Sequence, residues 1–357
     1  MRFWFKKGAW ASKKGYAVIE GLMPETVRSI AVIRHTALGD MLLTRPFLFE
    51  LRKAFPQAKI TFSVLDHYTR GVPEDLVDRV HIVYRKGKDR LSLKKKIENL
   101  QDLGEHDIIF DLADTSRSLL LCLLNTARLK IGFPYKAIYR YLVYDATLLR
   151  SDFVFEAELL LHMLHLLGIR TAHPPDFHLR PTPPPTGLPY LVYFTGASTD
   201  AKRWSLGHFK QLIAAMATSY PKHNHIILKG IGDWESISAL LEGTEEKANI
   251  KSAQIDTLEE TLSFLKGASL VISNDTGIRH AAIAIQTPTL GLFFGASPGS
   301  TQPYRYWPRY EGHDIVFCLD GAEPSVTEVI TAAIKLMDEI EKRKENTPST
   351  HERLTPR

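Results

Sequence analysis

Cysteine is nearly absent from this 357-residue chain: Cys122 and Cys318 stand alone, in the apolar contexts L-L-L-C-L-L and I-V-F-C-L. That usage excludes a disulfide framework or a thiolate metal site and reads as two small buried hydrophobes in a reducing compartment. No apolar run nears the roughly 18 residues that span a bilayer, and the N-terminus lacks the apolar core of a secretory signal, so a cytoplasmic protein is expected. The pattern G-x-x-x-x-G-K-[ST] is missing, which excludes a P-loop NTPase, and G-I-G-D-W-E at 230–235 only half matches a dinucleotide fingerprint. D-x-D is missing too, removing the usual carboxylate pair for a metal-bound nucleotide sugar; no metal and no cofactor is expected.

Acidic residues are absent before Glu20, while Arg2, Lys6, Lys7, Lys13 and Lys14 precede it and account for the whole formal net charge of +5. With the remaining charges balanced, a chain-wide nucleic-acid surface is excluded. The same stretch carries Phe3, Trp4, Phe5, Trp10 and Tyr16. Aromatics among cations suit peripheral contact of residues 1–16 with an anionic membrane face, and they equally suit an arm that folds back on the domain behind it.

What is present is an ordinary globular composition, 44% apolar and 24% charged, in a chain long enough for two cores. From residue 29 onward, short β-rich runs alternate with helical stretches, the mark of βαβ units and parallel sheets. Strands are expected at 29–34, 59–65, 79–84, 107–112 and 129–133, then at 190–195, 225–229, 269–274, 287–293 and 314–318, with a last helix at 324–344. Seven prolines between His173 and Pro189 cannot continue a helix or donate within a sheet, and they mark a linker. The expected organisation is therefore an N-terminal arm (1–28), a first α/β domain (29–172), the linker (173–189), a second α/β domain (190–344) and a flexible tail (345–357).

In parallel sheets, ligands bind beyond the carboxyl ends of strands, so four strand-to-helix loops matter. R-H-T-A-L-G-D (34–40) ends in Asp40, which either caps the following helix or acts on a ligand; Pro46 leaves open whether Asp40 is helical. G-A-S-T-D-A-K-R-W (196–204) lets backbone N–H groups at Gly196 and Ser198 approach a phosphate, with Lys202 and Arg203 as cations, or it is a solvated basic loop with Trp204 on the core. N-D-T-G-I-R-H (274–280) opens a helix whose N-terminus favours an anion, although Asp275 and Thr276 also serve as caps and His280 as a core histidine. F-F-G-A-S-P (293–298) offers a glycine and a serine at a strand end.

Together and in this order, these loops closely resemble glycosyltransferase family 9, the bacterial lipopolysaccharide heptosyltransferases, over about residues 29–335. The resemblance implies an α/β GT-B fold: two Rossmann-like domains with parallel sheets facing across a cleft. It implies inverting, metal-independent transfer from an ADP-heptose donor to the lipopolysaccharide inner core at the inner face of the cytoplasmic membrane. Carried over by motif, Asp40 is the general base and Lys202 contacts the donor diphosphate. Asp275, Thr276, Gly277 and His280 match the donor-binding D-[ST]-G-x-x-H, with Ser198 beside them and Thr36, Gly39, Gly196 and Arg203 as secondary residues. The alternatives are a transferase of the same fold using another nucleotide sugar, a non-catalytic sugar-nucleotide binding protein, and a nucleotide-sugar epimerase of similar build.

Overall fold

Buried parallel strands are covered by helices on both faces and so read as near-continuous apolar runs, and the runs at V-I, I-I-F and L-V-I-S become central strands. The computed structural model describes residues 8–84, 92–134, 136–185, 187–197, 199–230, 237–241, 249–295 and 302–346. It divides into two compact units, Met1–His178 and Leu179–Arg357.

The first unit runs β1 (Ala9–Ala11), α1 (Lys13–Glu20), β2 (Ser29–Ile33), α2 (Leu38–Leu43), α3 (Arg45–Ala54), β3 (Lys59–Leu65), β4 (Arg79–Val83), α4 (Leu93–Gln101), β5 (His106–Asp111), α5 (Ser116–Leu124), β6 (Ala127–Gly132), β7 (Ala146–Leu148) and α6 (Glu156–His165). Its sheet has the order β1-β7-β6-β5-β2-β3-β4. All pairings are parallel except β1 on β7, an antiparallel edge. Strand order reverses between β2 and β5, so the loops after those strands flank the topological switch point. One core face gathers Phe47, Leu51, Phe62 and Phe110 under α3 and α6; the other gathers Ile109, Leu119, Cys122 and Tyr144 under α5.

The second unit runs β8 (Tyr190–Phe194), α7 (Leu206–Ser219), β9 (Asn224–Lys229), α8 (Ser238–Leu241), β10 (Ile250–Gln254), α9 (Leu258–Lys266), β11 (Leu270–Asn274), α10 (Gly277–Ala284), β12 (Thr289–Phe293), α11 (Gln302–Arg305), β13 (His313–Phe317) and α12 (Val326–Asn346). Its all-parallel sheet has the order β10-β9-β8-β11-β12-β13, with the switch point between β8 and β11. Among the described residues, no helix is long and apolar enough to cross a membrane.

Two expectations change. The stretch 1–28 does not stand apart from residue 8 onward: β1 pairs with β7 in the register Trp10↔Thr147, and α1 packs Val18 and Ile19 on the first core. The physical reason is the edge of the sheet, whose free N–H and C=O groups at β7 take up the arm as a strand. Cys318 is not buried either; it is half exposed at the end of β13, while Cys122 is buried and both thiols are free. Residues 1–7 and 347–357 lie outside the described residues, as do Ser198 and the A-S-P of the fourth loop.

Gly15 is where α1 meets this edge. A Cβ there would lie 2.8 Å from the carbonyl carbon of Asp145 and closer still to its oxygen. Gly15→Ala should therefore push α1 off the sheet at a cost of about 1–3 kcal/mol. That lowers the unfolding midpoint of the first unit by several degrees, at roughly 2–4 °C per kcal/mol for a domain of this size. Calorimetry on the full chain checks it, and an unchanged midpoint would show the contact to be soft.

Candidate functional site

The first cluster sits after β2. The backbone reaches Ala37 extended, turns into α2, and breaks again at Thr44, whose hydroxyl donates to the Asp40 carbonyl at 2.8 Å. Pro46 then falls in the first turn of α3, where its missing N–H leaves no helical bond unmade. Asp40 is thus helical, in the first turn of α2, and Ala37 is the capping position. The side chain of Asp40 is 24% exposed, accepts from Thr36 Oγ1 at 2.6 Å, and has Arg34 Nη2 at 3.5 Å. Gly39 is buried in the same turn.

Arg34 is itself buried and spreads its charge. Its Nη1 donates to the Leu112 carbonyl at 2.7 Å and its Nη2 to Glu156 at 2.9 Å, and Arg150 reaches the same Glu156 oxygen. Two arginines and two carboxylates therefore compensate one another around a fully buried Glu156, as buried charges must. His35, in the same loop, is turned toward Ser63 Oγ (3.4 Å) and is pushed down to about 3 by burial, with Arg117 and His81 adding to the effect, so it stays neutral at physiological pH.

The second cluster sits at the switch point of the other sheet, after β8 and β11. Asn274, buried at the end of β11, donates its amide to the carbonyls of Thr195 (2.9 Å) and Gly196 (3.2 Å) and accepts from the Trp204 N–H at 3.2 Å. This closes the 195–204 loop against α10. Trp204 is fully buried, with its indole N–H on the Pro324 carbonyl at 2.9 Å. The loop then presents Lys202, whose Nζ donates to Asp275 Oδ2 at 3.1 Å, while His280 Nε2 lies 3.5 Å from Asp275 Oδ1. Arg203 turns instead to Asp200 at 2.9 Å within its own loop. Thr276 caps α10 by position, yet its buried Oγ1 has no hydrogen-bond partner among the described residues, and Gly277 begins the helix.

Burial alone would raise the Asp275 carboxyl. The His280 hydrogen bond and the charges of His280, Lys202 and Arg279 outweigh that and hold it well below the usual carboxylate range. Arg279, buried completely, is pulled down to about 10 by burial against the support of Asp275 and Asp314, and so remains cationic at neutral pH. Its Nη1 donates to the Tyr306 carbonyl at 2.8 Å, its guanidinium stacks on Phe293 at 5.1 Å, and a Cβ at residue 291 of β12 would lie 2.8 Å from its Cζ. Gly291 is the seat of that guanidinium.

Between these groups a pocket opens at the carboxyl ends of β11, β12 and β13. Lys202 and Asp275 line it on one side, and Leu292, Phe293, Phe317 and Cys318 on another. A cation and an aromatic wall together fit a ligand that is anionic at one end and flat and apolar at the other.

Of the residues expected from sequence, Lys202, Asp275, Thr276, Gly277 and His280 come together in this second cluster, and Thr36, Gly39 and Asp40 in the first. Gly196 contributes a carbonyl to the loop closure. Sequence reasoning missed Glu156 and Arg150, which lie more than 100 residues from Arg34 and carry no local signal. It also assigned no role to Asn274 or Arg34, although both stand inside the motifs.

The sequence model of Glycosyltransferase family 9 (heptosyltransferase) matches residues 91–307. Lipopolysaccharide heptosyltransferase 3 of Escherichia coli is 25% identical over 299 residues, covering 75% of this chain and 86% of that protein. Lipopolysaccharide heptosyltransferase 2 of Salmonella typhimurium is 26% identical over 317 residues, covering 78% and 86%. Among solved structures, Escherichia coli heptosyltransferase WaaC with ADP-2-deoxy-2-fluoro heptose superposes with a TM-score of 0.66 at 20% identity, over 89% of this chain and 100% of that one. That likeness establishes the fold, two parallel-sheet α/β units of the GT-B class.

The depressed Asp275 carboxyl makes a pH prediction. Because its folded pKa lies below the unfolded value of about 4, its contribution to stability is fully present above that value and is lost as pH falls below it. Urea melts of wild type and Asp275→Asn should differ clearly at pH 7, and the gap should narrow below pH 4. A gap independent of pH would mean that the ionised form contributes nothing.

Proposed function

The chain belongs to glycosyltransferase family 9, and from that premise we propose that it moves a heptosyl residue from ADP-heptose to the lipopolysaccharide inner core with inversion at the anomeric carbon. The observation that carries the reading is the Lys202–Asp275–His280 cluster, whose Lys202 and Asp275 line an aromatic-walled pocket and which falls inside the matched residues 91–307. As the bond from the anomeric carbon to the diphosphate lengthens, negative charge gathers on the leaving oxygens. Lys202 and the N–H groups at the start of α10 stabilise that charge where it develops, in a site already organised to receive it. Lys202 is held by Asp275 without donor, and a diphosphate takes over as its partner. Asp275, held by His280, then keeps the lysine oriented toward the pocket.

Asp40 removes the proton of the acceptor hydroxyl as that oxygen attacks. Thr36 and Arg34 fix its carboxylate, and Glu156, shared with Arg150, offsets part of the Arg34 charge that would otherwise fall on it. Asp40 precedes the matched span, so its role rests on the first-loop motif and on this geometry. The acceptor is a lipid, and the enzyme works as a peripheral protein at the inner face of the cytoplasmic membrane, with residues 1–16 on the membrane side.

Asp40→Ala should abolish transfer to purified, truncated lipopolysaccharide, scored by product mass, while donor affinity stays within a few fold. Near wild-type turnover would remove Asp40 from the mechanism. Incubating the wild type with donor alone should give no new nucleotide sugar; appearance of one would favour an epimerase instead.

Lys202→Ala should weaken donor binding and turnover together. A charge-assisted contact to phosphate contributes about 1.5–3 kcal/mol, or roughly 10- to 150-fold, and strengthens as the leaving group develops charge. Calorimetric donor titration and single-turnover rates read the two effects separately, and unchanged values in both would sink the assignment.

A further inference from the structure

The first unit has a surface that the transfer chemistry does not use. Between β6 and β7 a short ledge, 137–142, leaves Ile138 (58%) and Leu142 (69%) exposed, with Tyr141 beside them. On the neighbouring α5, Leu119, Leu121 and Cys122 point into the core, while Leu120 and Leu123 (56%) face outward. Ledge and helix share one face of the sheet. Tyr139 and Val143 pack into the same core cluster as Leu119 and Leu121, and Tyr144 and Cys122 converge on the buried Asp111, at 2.6 and 3.9 Å. The edge strand joins them, since Trp10 of β1 meets Tyr141 edge-on at 5.1 Å.

The charge around this apolar face is mainly positive. Residues 113–150 hold six Lys or Arg, of which Arg150 is taken up by the buried Glu156, against Asp114 and Asp145, although the chain beyond the first 19 residues carries no net charge. Arg128, Lys136 and Lys13 are exposed. On this same edge the Gly8 carbonyl accepts from the Leu149 N–H at 2.7 Å, and the sequence before Gly8 holds Arg2, Lys6 and Lys7 among Phe3, Trp4 and Phe5.

We infer that this ledge, the outer face of α5 and the β1 edge form a docking face for an anionic lipid bilayer. Exposed apolar side chains enter the headgroup boundary, and the surrounding cations are drawn to the negative leaflet. The inference deepens the peripheral-membrane reading and rests on it, but it assigns the contact to a folded surface rather than to the N-terminal residues alone.

Flotation of the full chain with vesicles tests it. Wild type should bind phosphatidylglycerol-containing vesicles, bind pure phosphatidylcholine at least fivefold less, and release with salt. The double substitution Ile138→Ser with Leu142→Ser, and separately Leu123→Ser, should each cut binding about fivefold or more. Because these side chains are exposed, both variants should keep the melting midpoint and the turnover on a water-soluble truncated acceptor, as should Leu188→Ser, the control on the second unit, which should also keep wild-type binding. Wild type that ignores anionic vesicles would overturn the peripheral reading itself. Ledge and α5 variants that bind as wild type, while a chain lacking residues 2–7 does not, would overturn the docking face alone. So would variants that leave vesicle binding intact but change the mass in solution, which would make the face a protein interface.

Discussion

The amide of Asn274 is the interaction on which the second cluster depends. One side chain at the end of β11 bonds two carbonyls of the loop after β8 and one of its N–H groups, and so ties together the two strand ends that diverge at the switch point. A loop of small residues would otherwise have many conformations available, and fixing each residue costs roughly 1–2 kcal/mol of entropy. With the loop closed, Lys202 reaches Asp275 without a further turn of chain. The cation, the carboxylate and the helix end are then organised before any ligand arrives.

The first unit solves the equivalent problem with charge. Asp40 stands in a short helix that Thr44 interrupts, and it is oriented by the Thr36 hydroxyl together with Arg34, a buried cation whose surplus is balanced by Glu156. A buried ion pair contributes little net stability, because desolvation offsets the attraction, and its value lies in fixing geometry. The two clusters thus use the same position in a Rossmann-like sheet with different means, a neutral amide in one and an ionic network in the other.

Much of this architecture is legible in the sequence because buried parallel strands announce themselves. The expected strands at 59–65 and 225–229 match β3 and β9 to within a residue. The strands left unread are the edge strands β1 and β10 and the short β7 beside β1. β10, I-K-S-A-Q, is half polar because little covers it; β7 is three residues long; β1 lies in a stretch that composition marks as basic rather than as β. Motif residues such as Lys202 and Asp275 are legible because their partners come from loops that sequence alone already places at strand ends. Glu156 is not, since its meaning comes from Arg34, 122 residues away, and nothing in D-F-V-F-E-A-E distinguishes a buried charge partner from an ordinary first-turn glutamate.

The Arg279 seat constrains how this sequence can drift. The guanidinium occupies the space that any side chain at residue 291 would fill, and its charge is among those that keep Asp275 ionised beneath Lys202. Neither position is therefore free to change first. Alanine at 291 displaces a buried cation, and a shorter side chain at 279 opens a void against Phe293 while weakening the field on Asp275. Through descent the two sites should behave as one character, exchanged as a pair between lineages that keep a glycine with an arginine and lineages that keep a larger residue with a small neutral one.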